Sequence, residues 1–187
     1  MPQPPVIELS RQTVYANPWI GLEEHRLRLR TSGRTIRYAF VRARPSVSIV
    51  AVTARRRIVL VRQYRYPTRG YNYELPGGGS GRLRPARAAR KELEEETGYR
   101  AGRLRKLGDY VVYSGVSSEI CNVFLATSLR PGRQNLEETE HLTVREVTYP
   151  QLERMIARGR FRDGMGLASL AIARPALERL LHDHSVS

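Results

Sequence analysis

The sequence predicts an α/β (α+β) fold in which a mixed sheet is covered by helices. The first forty-odd residues read as strands and turns, with apolar and polar residues alternating at period two, as in strands with one buried face. One stretch, from Pro85 to Gly98, carries helix formers between a start and a stop signal. After Thr148 the spacing becomes helical. Strands, a helix, more strands and then helices, in that order, suit layers of helix on sheet.

Taken in order, Leu27 and Leu29 alternate with Arg26, Arg28 and Arg30, and Ile36, Tyr38 and Phe40 resume the alternation after Thr31-Ser32-Gly33-Arg34. That is a hairpin signal. A strand over Val47, Ile49 and Ala51 follows Pro45, and Ala54 to Arg57 turns the chain into the apolar run Ile58 to Val61. Gly77 to Gly81 is expected to be an irregular loop, because glycine-rich stretches disfavour regular structure. Pro85 suits the first turn of a helix and Gly98 its left-handed stop. Strands are expected at Tyr110–Tyr113, Cys121–Ala126 and Leu142–Val147. Thr148 and Gln151 have the spacing of a capping box for a helix reaching about Gly159. Leu167 to Leu181 marks a last helical region that Pro175 should kink or divide. The expected domain break separates a β-rich segment, 1–45, from a main domain, 46–187.

Composition narrows the function classes. A chain of 187 residues with 41% hydrophobic and 27% charged residues can build a globular core. Its apolar runs are too short to span a bilayer, and Met-Pro-Gln-Pro-Pro does not resemble a signal peptide, so a cytoplasmic protein without a membrane partner is expected. Cys121 is the single cysteine, which excludes an internal disulfide and suits a small core residue. The net charge is +14 and comes almost wholly from arginine, since Lys91 and Lys106 are the only lysines. The charge has three readings, a compositional bias, attraction of small polyanions or nucleic-acid binding, and scattered arginines with no nucleic-acid motif speak against the last. A nucleic-acid partner is not expected.

The chemistry concentrates in the first helix. Glu92, Glu95 and Glu96 stand at helical spacing i, i+3 and i+4, with Glu94 between them. Like charges so spaced repel, and the helix C-terminus adds to the penalty. A bound hard divalent cation would reverse that sign. The plain alternative is a solvated acidic face paired with Arg87, Arg90 and Arg100. The glycine-rich loop leading into this helix favours the cation, because such loops bring backbone close to phosphate.

Here a resemblance becomes specific. The Nudix box reads G-x5-E-x7-R-E-U-x-E-E-x-G-U, and Gly77, Glu92, Leu93, Glu95, Glu96, Gly98 and Tyr99 match it in register, after the run Glu74-Leu75-Pro76-Gly77-Gly78. The chain therefore resembles the Nudix hydrolases, which implies an αβα sandwich with a mixed sheet, plus here the small N-terminal hairpin region. Leu83 replaces the box glutamate and Lys91 the box arginine, two residues that in the family join loop to helix. Lysine lacks the planar fork of arginine, so the exchange leaves open a second reading, a module that binds a nucleotide without cutting it.

The resemblance implies hydrolysis of the pyrophosphate bond of a nucleoside diphosphate derivative, with Glu92, Glu95 and Glu96, and the carbonyl of Pro76, holding Mg²⁺ or Mn²⁺. The general base is expected on a late loop, at Glu138 first and Glu140 second, beside Glu95 in the catalytic set. Val61 to Tyr66 followed by Glu74-Leu75-Pro76 resembles the ADP-ribose and nucleotide-sugar pyrophosphatases, which assigns substrate contacts to Arg65, Glu74, Gly77 and Gly78. That subgroup builds a homodimer through its N-terminal region, where Tyr15, Trp19 and Tyr38 are candidates for stacking on a base. One marker differs: Ser114 stands where the ADP-ribose hydrolases usually carry proline, sixteen residues beyond Gly98. ADP-ribose is the first expectation and another nucleoside diphosphate sugar the second.

Overall fold

The computed structural model describes residues 3–136, 138 and 141–182. They form two compact units, one of the described residues up to 44 with 111–120 and one of 45–110 with the described residues from 121 on.

The first unit is a three-stranded antiparallel sheet of β1 (Val6–Ala16), β2 (Ile20–Leu29) and β3 (Thr35–Ala43), in the order β1-β2-β3. The hairpin turn at Gly33 has a φ of 69°, a conformation glycine adopts without strain. Its register sets Leu27 opposite Ile36 and Leu22 opposite Val41. Segment 111–120 joins this sheet through Val41 N–H to Val116 O at 2.7 Å and Tyr38 Oη to Gly115 O at 2.9 Å. Tyr15, Trp19 and Tyr38 lie on the surface, Trp19 with 76% of its area exposed.

The second unit holds two sheets. β10 (Leu142–Val147), β5 (Ile58–Arg65) and β6 (Gly70–Glu74) form an antiparallel set in the order β10-β5-β6. β7 (Gly77–Gly79), β4 (Ser46–Ala51), β9 (Ile120–Pro131) and β8 (Tyr99–Val111) form the other in the order β7-β4-β9-β8. β4 runs parallel to β9 and antiparallel to β7, so that sheet is mixed. Every residue of β4 is buried, as parallel strands covered on both faces require.

Alternation divides the core into two layers. Val47, Ile49, Ala51, Val59, Phe124 and Ala126 pack against Ala88, Ala89 and Leu93 of α1 (Pro85–Thr97). Val50, Val52, Ile58 and Leu60 pack the other way, with Leu152 and Met155 of α2 (Tyr149–Ala157) and Leu170, Ala173 and Leu177 of α3 (Gly164–His182). Helices thus cover both faces, as the pattern implied, in the αβα sandwich that the resemblance implied. Among the described residues no helix is long and apolar enough to cross a membrane.

The helix signals hold closely. α1 starts at Pro85 and stops where Gly98 takes a φ of 70° and its N–H bonds Glu94 O at 2.8 Å. α2 has both halves of the Thr148–Gln151 capping box. α3 runs through Pro175 as one helix rather than dividing there. Two expectations need correction. Gly77–Gly79 is a short strand rather than an irregular loop, and β8 begins at Tyr99, well before the expected Tyr110. The first has a steric cause. A Cβ on Gly77 would stand 2.2 Å from Val47 O, so only glycine pairs this tightly with β4.

Candidate active site

The glycine strand and the acidic helix are locked together. Glu96, only 3% exposed, accepts a hydrogen bond from Gly77 N–H through Oε2 at 2.9 Å. A Cβ at Gly78 would lie 2.8 Å from Glu92 Oε2, which places the Glu92 carboxylate directly against the loop backbone. Glu95, one step around the helix, is ion-paired to Lys91. Glu94 points elsewhere, to Arg100 Nε at 2.6 Å. The acidic run therefore divides, with two carboxylates on the glycine loop and two on basic neighbours. Among the described residues, no three carboxylate, imidazole or thiol groups stand close enough to enclose a metal as they are placed. The donor chemistry still fits a hard cation, since Glu92 and Glu96 offer oxygens on a rigid helix beside a backbone strand.

Pro76 contributes its carbonyl to Ile49 N–H at 2.8 Å, which occupies one of the two lone pairs of that oxygen. Across β5 and β6, Arg65 grips Glu74 in a two-point pair, Nε to Oε1 at 2.9 Å and Nη2 to Oε2 at 2.6 Å. That bond holds the guanidinium more firmly charged than usual, and the charges of Glu96 and Asp163 add to the effect. Glu74 is buried while Arg65 keeps about half its side chain in solvent. Glu138 lies exposed in a turn. Glu140, the second expected base, lies outside the described residues.

A family profile described as the NUDIX domain matches residues 42–166, two thirds of the chain. The chain belongs to the Nudix family. This Nudix chain is 32% identical over 143 residues to an ADP-ribose pyrophosphatase of Bacillus subtilis, covering 75% of the chain and 77% of the relative. It is 31% identical over 152 residues to a GDP-mannose pyrophosphatase of Escherichia coli K12, with 72% and 77% covered. A crystal structure of an ADP compounds hydrolase matches with a TM-score of 0.83 over 100% of both chains at 22% identity, a likeness of fold.

Three features add to the expected site residues, and the first two had no signal in the sequence. Gln134 and Asn135 return to the end of α1, Gln134 Nε2 bonding Glu96 O at 2.7 Å and Asn135 N–H bonding Glu95 O at 2.9 Å. These bonds satisfy carbonyls that every helix leaves open at its C-terminus. They also anchor the chain just before Glu138. Asp163 caps α3 by accepting from Gly166 N–H at 2.7 Å. Burial raises its carboxyl above the usual range despite that bond, and the charge of Glu74 adds to the rise. Third, Leu83 and Lys91 line one open cleft of about 580 Å³ with Glu95, and Leu83 packs on the α1 core layer. The box's missing pair is thus replaced by an apolar contact at one end and the Lys91–Glu95 pair at the other.

Proposed function

We propose that the chain is a divalent-metal-dependent pyrophosphohydrolase of a nucleoside diphosphate derivative, ADP-ribose first and another nucleotide sugar second. The observation that carries this is Glu96 bonded to the Gly77 amide, with Glu92 set against Gly78. It supports a site in which acidic helix and glycine backbone act as one rigid wall. The names of the Bacillus subtilis and Escherichia coli relatives support the substrate class.

Glu92, Glu95 and Glu96, with the Pro76 carbonyl, are assigned to hold Mg²⁺ or Mn²⁺. Such a cation offsets diphosphate charge and favours deprotonation of water. Arg65 is fixed by Glu74 with one edge of its guanidinium remaining, and we assign that edge to a phosphate oxygen. Gly77 and Gly78 present backbone without side chains, which lets the diphosphate approach closely. Water attacks a phosphorus, the anhydride P–O bond breaks, and the products are a nucleoside monophosphate and a sugar phosphate. We assign the water's proton to Glu138, which must come within hydrogen-bond reach of it. The exposed Tyr15, Trp19 and Tyr38 support the assignment of the N-terminal sheet to homodimer contacts and base stacking.

The test is nucleoside monophosphate release from ADP-ribose, GDP-mannose and other nucleotide sugars, with Mg²⁺ or Mn²⁺ and with EDTA. Metal-dependent hydrolysis of at least one compound is the expected result. Saturable binding of the same compounds with no product under any condition would replace this reading with a nucleotide-binding module.

Lys91 supplies a further prediction. Its ammonium competes with a cation for Glu95, so Lys91→Met should tighten Mn²⁺ binding about two- to fivefold, the scale of an exposed ion pair. Titration calorimetry with Mn²⁺ measures it. Weaker binding in the variant would show instead that Lys91 orients Glu95 toward the metal.

A further inference from the structure

On the sheet face turned away from α1, the second unit carries a cluster of opposite charge. β5 is apolar on this face at Ile58 and Leu60 and then changes to Arg62. The register places Arg62 opposite Tyr73, Tyr64 opposite Tyr71 and Leu60 opposite Arg145, so all these residues share that face. Arg65 and Glu74 fall on the other side by the same alternation.

Arg62 lies over the Tyr71 ring at 4.3 Å, and Arg145 lies over Tyr73 at 5.6 Å while donating to its hydroxyl at 2.9 Å. Two more arginines arrive from the turn after α2. Gly159, with φ of 62°, reverses the chain, Arg160 N–H bonds Met155 O at 2.7 Å, and Phe161 is buried in the core. That anchor presents Arg160 and Arg162 to the same cleft, of about 410 Å³. Arg162 Nε reaches a neutral acceptor, Asn72 Oδ1, at 3.5 Å. None of the four guanidiniums has a carboxylate within ion-pair distance among the described residues, whereas Arg37, Arg42, Arg65 and Arg100 each do.

Four uncompensated cations around one cleft repel one another. The Tyr71 and Tyr73 rings hold two of the guanidiniums in place, and the N–H edges not used by Tyr73 are left for an acceptor. Several anionic oxygens in a compact group would satisfy those edges together, and a single carboxylate would not. We propose that this cleft is a second ligand site, selective for a short polyphosphate chain, either inorganic or borne by a nucleotide. It does not depend on the glutamates of α1.

Calorimetry on the 187-residue chain in EDTA tests this, with inorganic tripolyphosphate as the probe and ATP in parallel. The glutamate site without metal repels both. Saturable binding is expected, weakened at least about tenfold by Arg62→Gln with Arg145→Gln, as for loss of charged hydrogen bonds. Glu96→Gln should leave it unchanged. Equal affinities would identify the phosphate chain as the recognised group, and tighter ATP binding would add the nucleoside to it. An Arg103→Gln, Arg105→Gln protein loses the same charge from β8 and should bind as the wild type does. Equal weakening by that pair would reduce the effect to diffuse charge and overturn the site, as would an absence of saturable binding.

Discussion

Glu96→Gln is expected to lower kcat/KM on the order of 10²–10³-fold, the scale for removing one preorganised electrostatic element of a site. The substitution is nearly isosteric, so the 2.9 Å bond from Gly77 N–H has an amide oxygen to accept it. The fold should persist and the charge alone be lost. At 3% exposure the carboxylate is shielded from water, so its charge acts on the site at lower dielectric than a surface charge would. Steady-state rates beside thermal melts separate chemistry from folding. A variant retaining a tenth or more of wild-type activity, with an unchanged melt, would remove Glu96 from the cation-holding set and point to Glu92 and Glu95. Loss of activity with a lowered melting temperature would make Glu96 a loop clamp first.

How much of this was legible in the sequence varies with the range of the interaction. α1 was readable because Pro85 and Gly98 are local signals, and the Thr148–Gln151 box because both halves lie within one turn. Helical spacing alone puts Glu92, Glu95 and Glu96 near one another on α1, whereas their assignment to a cation rests on the resemblance to the Nudix box. β7 was not readable, since three glycines show no alternation and their pairing depends on β4, where Ser48 stands opposite Gly77 and Ser46 opposite Gly79. β8 was hidden because its half-buried positions, Tyr99, Ala101, Leu104 and Leu107, slip out of strict alternation. The site shows the same division. The Lys91–Glu95 pair sits at i, i+4, and helical geometry alone permits it. The Arg65–Glu74 pair depends on the β5–β6 register, and the Gln134 and Asn135 bonds on a returning chain. Neither leaves a trace in local spacing.

Gly77→Ala should destabilise the fold by about 3 kcal/mol, the upper part of the range for overpacking, and lower the melting temperature by roughly 6–12 °C for a domain of this size. The new Cβ would meet Val47 O at 2.2 Å, Ser48 Cα at 3.1 Å and Val47 C at 3.2 Å. All three atoms are backbone, so no side-chain rotation relieves the contact. β7 must move off β4, and Gly77 N–H then leaves Glu96, so activity should fall with stability. Gly79 is the internal control. It lies on the same strand, opposite Ser46, and a Cβ there meets nothing within 4 Å. Gly79→Ala should therefore change stability by no more than about 0.5 kcal/mol. Thermal unfolding followed by circular dichroism distinguishes the two. Equal melts for both variants would mean that β4 and β7 can separate at little cost, and the close β4–β7 contact would no longer explain why glycine occupies position 77.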